Sequence, residues 1–378
     1  MPTIRPSPMR ILIANDKFKG ALAAENVGFH IKIGLENVFP GASFDFCPIA
    51  DGGEGTARAV TTALGGGWIS CATVDAQGRP VEAGYGWVAG SGTAIMEMSA
   101  ASGLALVGDI NLNPMQASTL GTGILLLSAL SNGARRILIG IGGSATNDGG
   151  LGVALSLGYQ FKRGGQAFTP TLAALLEADE LIRPPSLPGC ELIVACDVDN
   201  PLLGPRGATR VYGPQKGVRD FEWFEKRLEH LADLARRDLG SDHRAVPGAG
   251  AAGGLGFGLM TFLGGRLVGG FDMVAAQVGL EARVAAADLV ITGEGRLDGQ
   301  SLQGKGPVGV ARLARRRGKT IVGVAGAVED TAELRALFDL LIPVKPADMP
   351  LAEAMRRTGE LLEAAVTART RALRALSP

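Results

Sequence analysis

Five polar glycine loops carry carboxylates that could do chemistry. Asp16 lies in NDKFKG (15–20), Asp51 and Glu54 in ADGGEGT (50–56), and Asp148 in GGSATNDGG (142–150). Asp197 and Asp199 fall in CDVDNP (196–201), and Glu294 and Asp298 in TGEGRLD (292–298). One such loop is ordinarily a turn, because Asp bonds its own backbone. Five loops that each end a strand of a parallel architecture converge on one sheet edge or on a cleft between two sheets. Converging carboxylates repel, so a site that holds them requires Mg²⁺, Lys/Arg partners, or both. Lys17, Lys19, Arg206, Arg210, Lys216, Arg296 and Lys305 lie in or beside these loops. This is the side-chain set of phosphoryl transfer, where catalysis rests on positioning and charge neutralisation. One carboxylate must also accept the proton of the attacking hydroxyl.

The loop 142–150 follows the apolar run 137–141 and precedes helical apolar spacing at Leu151, Val153, Ala154 and Leu157. A strand that empties through glycines into a helix start brings main-chain N–H groups close to an anion, and the helix dipole adds attraction. Ser144, Thr146, Asn147 and Asp148 exceed what a helix cap requires. The competing reading is a well-capped strand-to-helix turn.

The elements that must position these loops follow from the chain in order. Apolar strands at 10–14 and 43–49 each run into a carboxylate loop and then a helix, at about 21–35 and 56–64. That alternation implies a parallel sheet with right-handed crossovers. From 68 to 99 the pattern changes to short alternating strands with Gly-rich turns, which read as hairpins and as entry into a second domain. Strands are expected again at 191–196, 287–291, 320–325 and 338–344. An apolar helix opens at 247–258, charged amphipathic helices span about 221–237 and 351–376, and 292–298 is expected as a loop.

Composition narrows the function class. At 378 residues, two domains are the natural expectation. The 56 glycines are roughly twice the usual ~7% and cluster at the ends of apolar runs. Net charge is zero and 5% of residues are aromatic, which argues against nucleic-acid or anionic-membrane partners. Cys47, Cys71, Cys190 and Cys196 show neither metal nor disulfide spacing. No apolar stretch approaches the ~18 residues of a membrane span, and a soluble cytoplasmic protein is expected. Gly318-Lys319-Thr320 precedes a strand and lacks the leading glycine of a P-loop. GxGxx(G/A) matches at 140–145 and 248–253 have no acidic residue about 20 positions on within a βαβ unit, and the second does not clearly follow a strand, so an NAD-linked oxidoreductase is disfavoured.

NDKFKGAL (15–22), IADGGEGT (49–56), GIGGSATNDGG (140–150), ACDVDNPLLGP (195–205), VYGPQKG (211–217), GAGAAGGLG (248–256), ITGEGRLD (291–298) and GKGPVGVA (304–311) together resemble the bacterial glycerate kinase type-1 family. The motifs run in family order over almost the whole chain. The resemblance implies a two-domain α/β protein: a Rossmann-like parallel-sheet domain formed by both chain ends (1–66 and 280–378), with a second α/β domain inserted at 67–279 and the active site in the cleft between them. It implies transfer of the γ-phosphate of ATP, with Mg²⁺, to D-glycerate, giving 2-phosphoglycerate in preference to 3-phosphoglycerate. A kinase of another small hydroxy acid is the main alternative. Monomer and homodimer both remain open. Asn15, Lys17 and Gly306 depart from the usual Pro, Ser and Thr.

Expected roles follow. Asp197 is the candidate base, with a structural turn as its alternative. Asp51, Glu54 and Asp16 are assigned to Mg²⁺ or substrate hydroxyls, against N-capping of the helix at Thr56. Gly142, Gly143, Ser144 and Asn147, with Asp148 and Lys216, are assigned to nucleotide phosphates. Lys17, Lys19, Arg296 and Lys305 compete for the substrate carboxylate. Glu294 and Asp298 are either metal ligands or partners of Arg296.

Overall fold

The computed structural model describes residues 8–50, 52–187, 189–299, 301–303 and 306–376. Its strands, in chain order, are β1 (Arg10–Ile13), β2 (Ser43–Phe46), β3 (Gly67–Val74), β4 (Pro80–Val88), β5 (Thr93–Glu97), β6 (Arg136–Gly140), β7 (Gln160–Arg163) and β8 (Gln166–Phe168). They continue as β9 (Glu180–Ile182), β10 (Glu191–Ala195), β11 (Arg266–Val268), β12 (Leu289–Leu297), β13 (Thr320–Val328) and β14 (Leu340–Pro343). Packing divides the chain into two units, Met1–Asp51 with Val274–Pro378, and Gly52–Met273. Among the described residues, no helix is long and apolar enough to cross a membrane.

Both chain ends build the sheet of the first unit, in the order β14-β13-β12-β1-β2 with every pairing parallel. Its central strands are apolar runs because helices cover both faces. Ile11, Ile13, Leu289, Ile291, Val322 and Val324 are each at most 1% exposed. The helix Ala24–Val38 packs against the helix Thr358–Ala368. A Cβ on Gly34 would lie 2.8 Å from that of Val366, so the two backbones approach closely there.

Two expectations about this unit are corrected. The segment 292–297, expected as part of a loop at 292–298, is strand. β12 continues through it, still paired with β13 as far as Leu297↔Val328. Its glycines permit the pairing: a Cβ on Gly293 would stand 1.9 Å from the Val324 carbonyl oxygen. Nor is 351–376 one helix; it breaks into Leu351–Arg356, Thr358–Ala368 and Thr370–Ala375. Thr358 Oγ1 donates back to the carbonyls of Ala354 and Met355 (both 3.0 Å), and Thr370 Oγ1 to that of Thr367 (2.6 Å). Hydroxyls bonded back in this way bend helices.

The second unit holds a six-stranded sheet, ordered β11-β10-β6-β5-β4-β3. The hairpin pattern expected at 68–99 is present as antiparallel β3, β4 and β5, after which β5 joins β6 in parallel. The helix Thr56–Ala63 packs on β3, β4 and β5 of this sheet. A small antiparallel sheet, β8-β7-β9, had no sequence signal because its strands are only three or four residues long. The glycine-rich segment after Pro247 forms the helix Ala251–Leu263, with left-handed backbone at Ala252, Gly253 and Gly254.

Candidate active site

Three of the polar loops meet at the carboxyl ends of β5, β6 and β10 in the second unit. Glu97, Gly140 and Ala195 are neighbours across these strands. A Cβ on Gly140 would stand 2.5 Å from the Gly52 carbonyl oxygen, and one on Gly52 would stand 2.9 Å from the Ala195 Cβ. Glycine at both positions therefore lets the 52–55 loop lie directly on the strand ends. Gly142, exposed beside Gly53, opens the 142–144 turn, and Gly143 has φ +73°. Asp197, two residues beyond β10 and solvent-exposed, accepts a hydrogen bond on Oδ1 from Gly270 N–H (2.7 Å), at the start of the helix Gly270–Gln277.

Beneath its exposed glycines, the 142–150 loop is fastened by two buried charges. Lys216, 1% exposed, donates from Nζ to Ser144 Oγ and to the Thr146 carbonyl, both at 2.6 Å. Burial pulls its pKa down to about 7, partly opposed by the charge of Asp148. Asp148, also 1% exposed, accepts from Thr119 N–H and Oγ1 (2.8 and 2.9 Å) and from the N–H groups of Gly150 and Gly152 (3.1 and 3.2 Å). Burial pushes its pKa up, against the pull of those donors. Asn147 Nδ2 donates to Thr209 Oγ1 (3.0 Å). A Cβ on Gly253 would be 2.0 Å from the Thr146 carbonyl oxygen, so the GxGxxG match at 248–253 serves backbone packing against this loop. Lys216, Asp148 and Asn147, assigned to nucleotide phosphates from the sequence, are buried and hydrogen-bonded within the protein. Gly142 and Gly143 are the exposed part of the motif.

At the start of the helix at Thr56, two backbone donors are taken by a residue that its own segment does not single out. Glu97 accepts from Ala57 N–H (2.7 Å) and Gly55 N–H (3.2 Å), satisfying donors that the helix start leaves open. Glu54 is exposed in the same loop. Asp51 and Lys305 lie outside the described residues.

In the first unit, Asp16, Lys17, Lys19, Glu294, Arg296 and Asp298 all line one cavity of about 620 Å³. Lys345, not anticipated from the sequence, joins them. The loop after β1 is shaped by Asn15, 2% exposed, whose amide donates to the carbonyls of Asp16 (3.0 Å) and Ala24 (2.9 Å). Asp16 Oδ1 accepts from Lys17 N–H (2.6 Å). Asp298 pairs with the largely exposed Arg296 (3.0 Å), so the ion-pair alternative describes at least one oxygen of this carboxylate. Among the described residues, no three Asp, Glu, His or Cys side chains are grouped closely enough to hold a metal by themselves.

Carboxylates and cations gathered at the carboxyl ends of parallel strands define an α/β enzyme that acts on anionic substrates. Comparison with known proteins narrows this class. The profile of the glycerate kinase family matches residues 11–374. A glycerate kinase of Bacillus subtilis is 43% identical over 94% of this chain and 95% of its own length. A glycerate 2-kinase of Escherichia coli is 43% identical over 85% and 86% of the two chains. A Salmonella typhimurium crystal structure described as a glycerate kinase 2 superposes with a TM-score of 0.89, at 37% identity over 97% of this chain and 99% of that one. The chain belongs to the glycerate kinase family and is a kinase.

Proposed function

We propose that this kinase transfers the γ-phosphate of ATP to the 2-hydroxyl of D-glycerate, giving 2-phosphoglycerate and ADP. The observation that carries this reading is the cavity at the ends of β1 and β12, where Asp16, Glu294 and Asp298 stand with Lys17, Lys19 and Arg296. Opposed charges of this kind suit a polyanion and its counter-ion.

The oxygen donors fit Mg²⁺. A Mg²⁺ ion takes one or two carboxylates and completes its shell with phosphate oxygens and water, so a three-carboxylate cage is not required. Asp16 and Glu294, with Asp298 where Arg296 releases it, would hold the ion. When bound, it would neutralise phosphate charge. Lys17, Lys19 and Arg296 supply cations for a phosphate or for the carboxylate of glycerate. In the second unit, the exposed glycines 142 and 143 would let an anionic substrate oxygen approach the backbone, with Lys216 and Asp148 holding the loop in shape. Asp197, oriented by Gly270 N–H, is our candidate to accept the hydroxyl proton.

The test is ATP-dependent phosphorylation across a panel of short hydroxy acids, with the product identified by phosphorus NMR. D-glycerate as the preferred acceptor and a 2-phosphoglycerate resonance are expected. Preference for another acid, or a 3-phosphoglycerate product, would replace the corresponding part of the proposal.

A further inference from the structure

The 620 Å³ cavity is too large and too apolar for a three-carbon polar acid. Its volume falls in the range of about 300–1,000 Å³ typical of pockets that enclose drug-sized ligands. Beside its charged groups, the lining includes the apolar side chains of Phe18, Val344, Leu351, Ala354, Met355 and Leu361. Glycerate carries two hydroxyls and a carboxylate on three carbons, with no apolar surface to set against that lining. Leu351 is 65% exposed, an apolar side chain left in water at the cavity.

Topology marks the same place. In the order β14-β13-β12-β1-β2, the chain leaves β1 toward β2 in one direction and β12 toward β13 and β14 in the other. The order therefore reverses between β1 and β12, and ligands of open α/β sheets bind at such switch points, outside the carboxyl ends of the strands. Residues 16–19 and Ala21 after β1, and residues 294–296 and Asp298 at the end of β12, line the cavity there. The break at Arg357 divides the apolar wall between two short helices, Leu351–Arg356 and Thr358–Ala368.

We propose that the apolar side of this cavity binds the nucleoside of the phosphoryl donor, and that Lys17, Lys19 and Lys345 serve its phosphates. The proposal rests on the reading of a nucleoside triphosphate as donor. It assigns the base to Val344, Leu351, Met355 and Leu361 and leaves the glycine loop 142–144 to another anionic group.

Two exposed positions on the cavity allow a test with little risk to folding, Ala327 on β13 and Leu351. In Ala327→Phe the cavity is filled, and in Leu351→Glu a negative charge is placed at its wall. Both variants are expected to weaken ADP binding, measured by calorimetry, and to raise KM for ATP by about tenfold or more, with KM for glycerate within about twofold of wild type. Photolabelling of the wild-type protein with 8-azido-ATP is expected to tag peptides within 344–361. Unchanged nucleotide affinity in both variants, or labelling confined to the 142–150 peptide, overturns the assignment. Wild-type turnover is measured alongside. Its absence with ATP would refute the donor reading and the inference with it, whereas normal turnover with undisturbed nucleotide binding in the variants would refute the cavity assignment alone.

Discussion

Lys216 Nζ reaches Ser144 Oγ at 2.6 Å across 72 residues of sequence, inside the protein. It also holds the Thr146 carbonyl, so a single amine ties a side chain and a backbone group on either side of Ala145. Lys216→Met keeps the bulk and removes both donors. We expect kcat to fall by roughly tenfold or more, equivalent to ~1.4 kcal/mol of lost positioning, with an unchanged far-ultraviolet circular dichroism spectrum.

The same lysine gives a pH signature. Its pKa in the folded protein, about 7, lies below the ordinary 10.5. Between these values the unfolded chain binds one more proton at this site, so the lysine contributes stability that rises with pH; below about 7 its contribution is flat. Denaturant midpoints compared across this window should show a smaller rise in Lys216→Met than in wild type. Parallel curves would mean that Lys216 is charged in the folded state throughout.

Asp148 accepts four hydrogen bonds that join the loop to Thr119 and to the start of the helix Leu151–Ser156. Asp148→Ala strands buried donors, and loss of bonds to a charged group should cost about 3 kcal/mol. Chemical denaturation measures this directly. A variant with wild-type stability and impaired nucleotide binding would instead favour direct contact with the ligand.

Asp197→Asn preserves shape and an acceptor for Gly270 N–H but removes the basic carboxylate. If it takes the hydroxyl proton, kcat should drop by about a hundredfold, with KM values little altered. Near-normal turnover would leave Asp197 as an anchor of the helix Gly270–Gln277.

Glu294→Gln and Asp298→Asn probe the cavity carboxylates. Each should raise the Mg²⁺ concentration giving half-maximal rate by roughly fivefold or more, since one charged oxygen ligand is lost. Arg296→Ala, which removes an ion-pair partner of Asp298 without removing a carboxylate, should leave that concentration unchanged or lower it. Identical Mg²⁺ curves for all three would place the ion elsewhere.

The sequence by itself located the longer apolar strands and most of the polar loops that end them. Apolar runs such as 10–14 and 191–196 and the Gly-acid breaks after them are local patterns, decided by neighbouring side chains and backbone freedom. It also yielded the family, through eight motifs in order. Only the tertiary structure decided which loop residues face outward. Lys216 and Asp148 look like surface charges in their own segments, yet they are buried, because their partners come from Ser144, Thr146 and Thr119. Glu97 gave no signal as a cap, since the helix it serves begins some 40 residues earlier. Residues 292–297 read as a loop until β13 paired with them. In each case the deciding contact joins segments distant in sequence. Its energy depends on strand order and close glycine packing, neither of which a local pattern contains.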